Sequence, residues 1–290
     1  KVPRHSMKAR EVRIPAALVD AVVVDATQRQ GYDLVYDAAL SGQDRRDDPE
    51  PPQPAFSSRL VIARRAQQEL HDNAVINFGF GIPDQIAKLI DRDGHAERYF
   101  QTIEHGTYGG RLMDGDLFGY AMNPSCMIDG PSQFDFYSGG GLDIAFLGFG
   151  EIDAAGNVNV SKLAGNTVGP GGFIDIAQNA RKVVFCGTFD TGGARLETGD
   201  GTLRVTSHGR IPKLVEKVDQ ITFSGPQASV QGQHVIYVTE RAVFELREDG
   251  VHLVEIAPGI DLQADVLDRM GFTPRMESPL SEMNSGLFKE

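Results

Sequence analysis

The alternation of apolar and polar positions changes character near residue 57. Before it, AALVDAVVVD (residues 16–25) is the one sustained apolar run and predicts a strand. The stretch SGQDRRDDPEPPQP (residues 41–54) is rich in charge and proline. Proline lacks an N–H and holds φ near one value, so this stretch predicts an extended linker and a boundary. Beyond it, Ser57 or Ser58 can cap a helix through RLVIARRAQQEL, in which Leu60, Ala63, Ala66 and Leu70 share one side. VINF (residues 75–78) reads as a strand, GFG as a turn, and PDQIAKLIDRDG as a helix opened by Pro83 and followed by Gly94. Strand, glycine turn and helix make an α/β unit.

The same pattern recurs downstream. YFQTIE (residues 99–104) reads as another strand, while LDIAFLG (residues 142–148) and KVVFCGTF (residues 182–189) are continuous apolar runs, as expected of strands covered on both faces. FIDIAQNA (residues 173–180) predicts a short helix, and DAAGN a turn before VNVSKL. QITFSG, HVIYVTE, AVFELRE and VHLVEIA predict successive strands, and GIDLQADVLDRMG a closing amphipathic helix. The predicted fold class is α/β: an open, mostly parallel sheet with helices on both faces and β-rich additions. Residues 1–56 read as a connecting segment and proline-rich linker, and residues 57–290 as one domain.

Composition narrows the function. Hydrophobic residues make up 41% and charged residues 23% of the 290, an ordinary globular balance with length enough for a large core. A net charge of -12 argues against a nucleic-acid partner, which needs clustered Lys and Arg. Two cysteines, Cys126 and Cys186, are too few for a disulfide framework or a four-ligand zinc site. Cys186 lies in an apolar run and reads as a buried, inert thiol. Neither a signal peptide nor a run of about 18 apolar residues is present, so no membrane span is expected and a cytoplasmic enzyme fits. The chain starts at Lys1, which suggests a piece of something longer.

The candidate chemistry sits in glycine clusters among the 33 glycines, where backbone N–H groups can approach a ligand. Gly79-Phe80-Gly81-Ile82-Pro83 is either an anion-binding helix entry or a packing turn. Asp84 stands where a dinucleotide fingerprint needs its third glycine, so NAD does not fit. IEHGTYGG (residues 103–110) sets the carboxylate of Glu104 at a strand end among flexible residues. That is a surface glutamate or a catalytic one. His105 beside it should face the other way, since strand neighbours alternate. GPGGF (residues 169–173) precedes a helix and could hold an oxyanion, or could be only a connection. FYSGGGLD (residues 136–143) reads as a tight loop entering a buried strand.

Taken together, these motifs carry a resemblance. Glu104–Gly110, E-x-G-x-x-G-G, resembles the nucleophile signature of family I coenzyme A transferases, and GPGGF resembles the family's second motif. SGGGLDIAFLGFGEIDAAGNVNVSK is similar to the stretch between them, and GFGIP to the CoA-proximal loop. With KVVFCGT, ITFSG and VTERAVFEL the likeness covers roughly residues 58–276 and is strongest to the second, glutamate-bearing half of the acetate/propionate type. Residues 12–42 resemble the segment joining two halves.

The resemblance implies a transferase that moves CoA between an acyl-CoA and a short-chain carboxylic acid, with coenzyme A as carrier and no metal or NAD. It implies Glu104 as nucleophile and Gly171 and Gly172 as oxyanion donors. Gly79, Phe80, Gly81, Ile82, Gly106, Gly109, Gly110 and Gly169 would approach CoA. Gly109 and Gly110 would leave room for the second acid. A complementary N-terminal half and an oligomer are the implied partners. A CoA-ester hydrolase and a non-catalytic CoA- or sugar-sensing module are the rival readings.

Overall fold

A computed structural model describes residues 2–3, 5–48 and 53–290. The chain divides into two compact units, Lys1–Asp37 and Ala38–Glu290. The division therefore falls before the proline-rich linker, of which residues 49–52 lie outside the described residues. Residues 38–48 belong to the larger unit. Ala39 and Leu40 are buried, Ala39 O accepts from Asn123 N at 3.1 Å, and the Asp48 carboxylate accepts from Arg111 Nε at 2.8 Å.

Among its described residues the smaller unit has only two short helical turns, Ala9–Glu11 and Ala16–Leu18. The strand expected over residues 16–25 does not form. A strand needs a neighbour for its N–H and C=O groups, and none pairs with it among the described residues. Val22, Val23 and Val24 are 79%, 88% and 89% exposed.

In the larger unit ten strands form one sheet. In chain order they are β1 (Val75–Phe78), β2 (Phe100–Ile103), β3 (Thr107–Tyr108), β4 (Cys126–Met127), β5 (Ile144–Gly148), β6 (Lys182–Cys186), β7 (His234–Val238), β8 (Ala242–Arg247), β9 (Gly250–Ile256) and β10 (Arg275–Glu282). Their spatial order is β10-β9-β8-β7-β6-β5-β1-β2-β3-β4. The central five, β7-β6-β5-β1-β2, are parallel throughout. Antiparallel pairs extend the sheet on both sides, and β10 joins β9 in parallel.

The helices are α1 (Ser58–Gln67), α2 (Ile82–Arg92), α3 (Gly130–Phe136), α4 (Phe173–Asn179) and α5 (Gly225–Val230). Period-two alternation along β5 sends Ile144 and Phe146 into a core with α1 and α2, and Ala145 and Leu147 into a second core with α4. That is why the central strands read as continuous apolar runs: both faces are covered. Ser57 is the cap of α1, its Oγ accepting from Leu60 N at 3.3 Å.

Three expectations are corrected. QITFSG forms no strand. Phe223 makes one isolated bridge to Val158, and Ser224 then caps α5. The closing helix is two short turns, Leu262–Val266 and Leu267–Arg269, broken where Val266 takes φ -122° and ψ -71°. FYSGGGLD is not a simple loop, because Phe136 ends α3 and Tyr137–Gly141 continue as a wide helical turn.

One buried carboxyl gives a stability prediction. Burial pushes the Asp91 carboxyl, in α2, up to about 6 from its ordinary 3.8, against the pull of Arg111. The folded state thus favours its neutral form. No penalty exists below the ordinary value; stability falls as pH rises from about 3.8 to about 6 and stays lower, without further change, above it. Asp91→Asn is expected to raise stability by about 1–2 kcal/mol at pH 7.5 and to leave it unchanged near pH 3, as thermal unfolding at the two pH values would read.

Candidate active site

Ligands of open α/β sheets bind beyond the carboxyl ends of the strands where the strand order reverses. Here the chain runs from β1 to β2 on one side, then returns to β5 on the other, so the reversal lies between β1 and β5. A cavity of about 420 Å³ opens there. β1 and the turn after it contribute Asn77, Gly79 and Phe80. The end of β5 contributes Leu147 and Gly148, followed by Phe149 and Gly150. Glu104 enters from the turn after β2, and Pro170, Gly171, Gly172 and Phe173 from the GPGGF segment. Val160, Leu163 and Phe118 complete an apolar wall, and Phe118 meets Phe80 edge-on at 5.3 Å.

Glu104 sits just past β2, so the sheet anchors its backbone while the side chain is half-buried at the cavity. Its Oε2 accepts a hydrogen bond from Asn77 Nδ2 at 3.1 Å. Asn77 is fully buried and continues to the hydroxyl of Tyr137 at 3.4 Å. His105 does not join: its Nδ1 lies 3.3 Å from Gly119 O.

The predicted site residues separate into groups. Glu104, Gly79, Phe80, Gly171 and Gly172 share the one cavity. Gly79 allows close strand approach, since a Cβ there would stand 3.2 Å from Leu147 Cδ2. Gly171 is exposed, with φ +55°, a conformation that suits glycine, and nothing within 4 Å of where a Cβ would stand. Gly172 is the N-cap of α4. Neither Gly171 nor Gly172 donates its N–H to a main-chain acceptor among the described residues. Gly169 lies just outside, its N–H donated to Ser161 O at 3.1 Å.

Gly81 and Ile82 line an adjoining cavity of about 340 Å³ with Arg59, Thr188 and Lys213. At the head of α2, Asp84 Oδ2 accepts from Gly81 N at 3.1 Å, so the helix entry carries its own carboxylate.

Gly106, Gly109 and Gly110 stand apart from the Glu104 cavity. A Cβ on Gly106 would lie 2.1 Å from Ile128 O, and one on Gly110 would lie 2.3 Å from Met122 O. Both have positive φ, so the geometry of the turn itself calls for glycine. Gly109 and Gly110 line other hollows, with Gln101.

The sequence reading missed Asn77, Thr102 and Tyr137. The available signal was a polar residue inside a doubly covered strand, VINF, since a buried amide without a partner is costly. Cys186 is buried as expected, and burial pushes its thiol well up from the ordinary value.

These features define an α/β domain whose ligand cavity opens at the sheet's reversal point and presents one carboxylate. No family model matches the sequence. Over 288 residues the chain is 44% identical to acetate CoA-transferase YdiF of Escherichia coli O157:H7, a match covering 99% of this chain and 54% of that protein. The crystal structure of that acyl-CoA transferase as a thioester complex with CoA aligns at TM-score 0.87 and 42% identity, over 99% of this chain and 54% of that one. Caffeate CoA-transferase of Acetobacterium woodii is 43% identical over 295 residues, 99% of this chain and 56% of that protein. The beta subunit of acetate CoA-transferase from Escherichia coli K12 is 26% identical over 218 residues, 71% of this chain and 89% of the subunit. The chain belongs to the family I CoA-transferases. It spans about half the length of the first two relatives. No helix among the described residues is long and apolar enough to cross a membrane.

Proposed function

We propose that this chain is the glutamate-bearing half of a cytoplasmic CoA-transferase, which moves CoA between a short-chain acyl-CoA and a carboxylic acid. The observation that carries the reading is the shared cavity: Glu104 and the GPGG turn, far apart in sequence, meet at the reversal point of the sheet. The thioester complex of the YdiF relative and the names of both full-length relatives support it.

The chemistry follows from a carboxylate held beside N–H donors. Glu104 attacks the thioester carbonyl and expels CoA thiolate, leaving an acyl-glutamyl anhydride. The thiolate attacks the glutamyl carbonyl, giving glutamyl-CoA and the free acid. A second acid reverses the sequence. Splitting one hard step into easier ones is covalent catalysis, and its kinetic mark is ping-pong behaviour. The attacking atom is a carboxylate oxygen with no proton to remove, so no general base is needed. Gly171 and Gly172 supply N–H groups to the oxyanion, where one donor is worth about 3 kcal/mol of barrier.

The partner is a complementary half that closes the site, and the working form is an oligomer. The match to a beta subunit supports this. Isotope exchange between acetyl-CoA and labelled acetate, in the presence of that half, tests the activity. Exchange supports transfer; hydrolysis without exchange would favour the esterase reading, and neither would favour a sensing module.

Gly172 offers a local test. A Cβ there would lie 3.1 Å from Phe134 Cζ and 3.4 Å from Ile176 Cδ1, so a β-branched side chain presses on both and crowds the cavity wall. Gly172→Val is expected to cut kcat by about 100-fold, while the melting temperature falls by only a few degrees. A fall in melting temperature with kcat unchanged would reduce the segment to a packing role.

A further inference from the structure

We propose that Tyr137 and Thr102 are positioning residues that set the Asn77 amide to donate to Glu104; the inference rests on the reading of Glu104 as the CoA-carrying carboxylate. Three parts of the chain meet in this relay: Asn77 from β1, Thr102 from β2, and Tyr137 from the wide helical turn after α3. Asn77 and Tyr137 are 0% exposed and Thr102 is 2%.

The hydrogen bonds have one consistent direction. Thr102 Oγ1 donates its single proton to Ile76 O at 2.8 Å. In its 2.6 Å contact with Tyr137 it must therefore accept, and the Tyr137 hydroxyl donates. With its proton committed, the Tyr137 oxygen accepts from Asn77 Nδ2 at 3.4 Å. The same NH₂ group then gives its other proton to Glu104 Oε2 at 3.1 Å. The flipped amide would turn its carbonyl oxygen toward a carboxylate and toward a hydroxyl whose proton is already used. Burial pushes the Tyr137 hydroxyl up to about 12, so the donor stays protonated at working pH.

Among the described residues, buried Asn77 Oδ1 has no hydrogen-bond partner. A buried acceptor left unpaired opposes folding. The side chain is thus arranged for Glu104 at the expense of its own second hydrogen-bonding atom.

The relay has a defined use. When CoA thiolate attacks the anhydride at the glutamyl carbon, the C–S bond forms and the carbonyl electrons move onto the oxygen. The tetrahedral species then re-forms the carbonyl and expels the acid as carboxylate. Oε2 carries the transient negative charge, and the Asn77 N–H already faces it. This donor is separate from Gly171 and Gly172, and it serves the glutamyl carbonyl.

The test is the rate at which acetyl-CoA labels Glu104 with CoA, measured by rapid quench on the protein assembled with its complementary half. Tyr137→Phe and Thr102→Val should each slow labelling about tenfold, with KM for acetyl-CoA within about twofold. Thr102→Ser, which keeps the hydroxyl, should restore the parent rate. The double variant Tyr137→Phe/Thr102→Val should lose no more than either single one, because both break one relay. Should Tyr137→Phe not fold, the valine and serine pair at 102 carries the comparison. Parent rates in the variants, or multiplied losses with serine no better than valine, would overturn the relay alone. A parent protein whose Glu104 acquires no CoA would overturn the nucleophile reading and the relay with it.

Discussion

Glu104→Ala is expected to abolish CoA transfer, a loss on the order of 10⁵-fold, without unfolding the protein. The size follows from the role: among the described residues no other carboxylate lines the cavity at the sheet's reversal point, and covalent catalysis has no residual path without its nucleophile. The preserved fold follows from position. Glu104 lies in a turn after β2, half-buried, and supports no core packing. Its removal leaves Asn77 Nδ2 still bonded to Tyr137. Glu104→Gln should be equally inactive, since an amide keeps the shape but not the nucleophile. Glu104→Asp, shorter by one methylene, should retain activity lower by about 100-fold, the usual cost of a displacement of about 1 Å. Circular dichroism and melting temperature report folding, and isotope exchange reports transfer. Turnover near the parent level in the alanine variant would remove Glu104 from the mechanism.

The second large effect concerns the proposed complementary half. The chain alone is expected to fold yet transfer CoA at least about 100-fold more slowly than with its complementary half. The two longer relatives are nearly twice as long, and a beta subunit matches 71% of this chain over 89% of its own length. Phe80, at the cavity, is 65% exposed, and the first unit exposes Leu18, Val22, Val23, Val24 and Tyr32. Exposed apolar surface, taken in each unit by itself, is what a partner would cover. An open site also admits water, which hydrolyses anhydride and thioester intermediates. Residual activity of the lone chain should therefore be hydrolysis. Assays of the chain at several concentrations, with and without the other half, separate the cases. Full transfer by a monomer would refute the need for a partner.

Much of the central sheet was legible because its strands are covered on both faces. VINF, LDIAFLG and KVVFCGT announce themselves as apolar runs, and the helices between them have readable ends in Ser57, Pro83 and Gly172. What failed was structure whose outcome depends on partners. AALVDAVVVD has strand composition but no neighbour to pair with. QITFSG ends in a helix cap, which stops the run before a ladder can form. The antiparallel hairpin Arg195–Gly199 with Thr202–Ser207 was missed because its strands are half-exposed and carry little apolar signal.

The site was legible as motifs but not as geometry. Glu104, Gly171 and Gly172 come together as the motif order implies. Gly106 and Gly110 occur in the same motif for a local reason, since the turn after β2 needs positive φ and brings backbone oxygens close. No spacing rule reveals Asn77, because its relation to Glu104 depends on the parallel pairing of β1 with β2, which sets Asn77 beside Thr102.

The most direct measurement is mass spectrometry of peptides after the assembled protein meets acetyl-CoA without an acceptor acid. The account predicts one CoA mass added as a thioester to the peptide containing Glu104, and its loss when acetate is supplied. CoA found on a different residue, or turnover with residue 104 unmodified throughout, would contradict it.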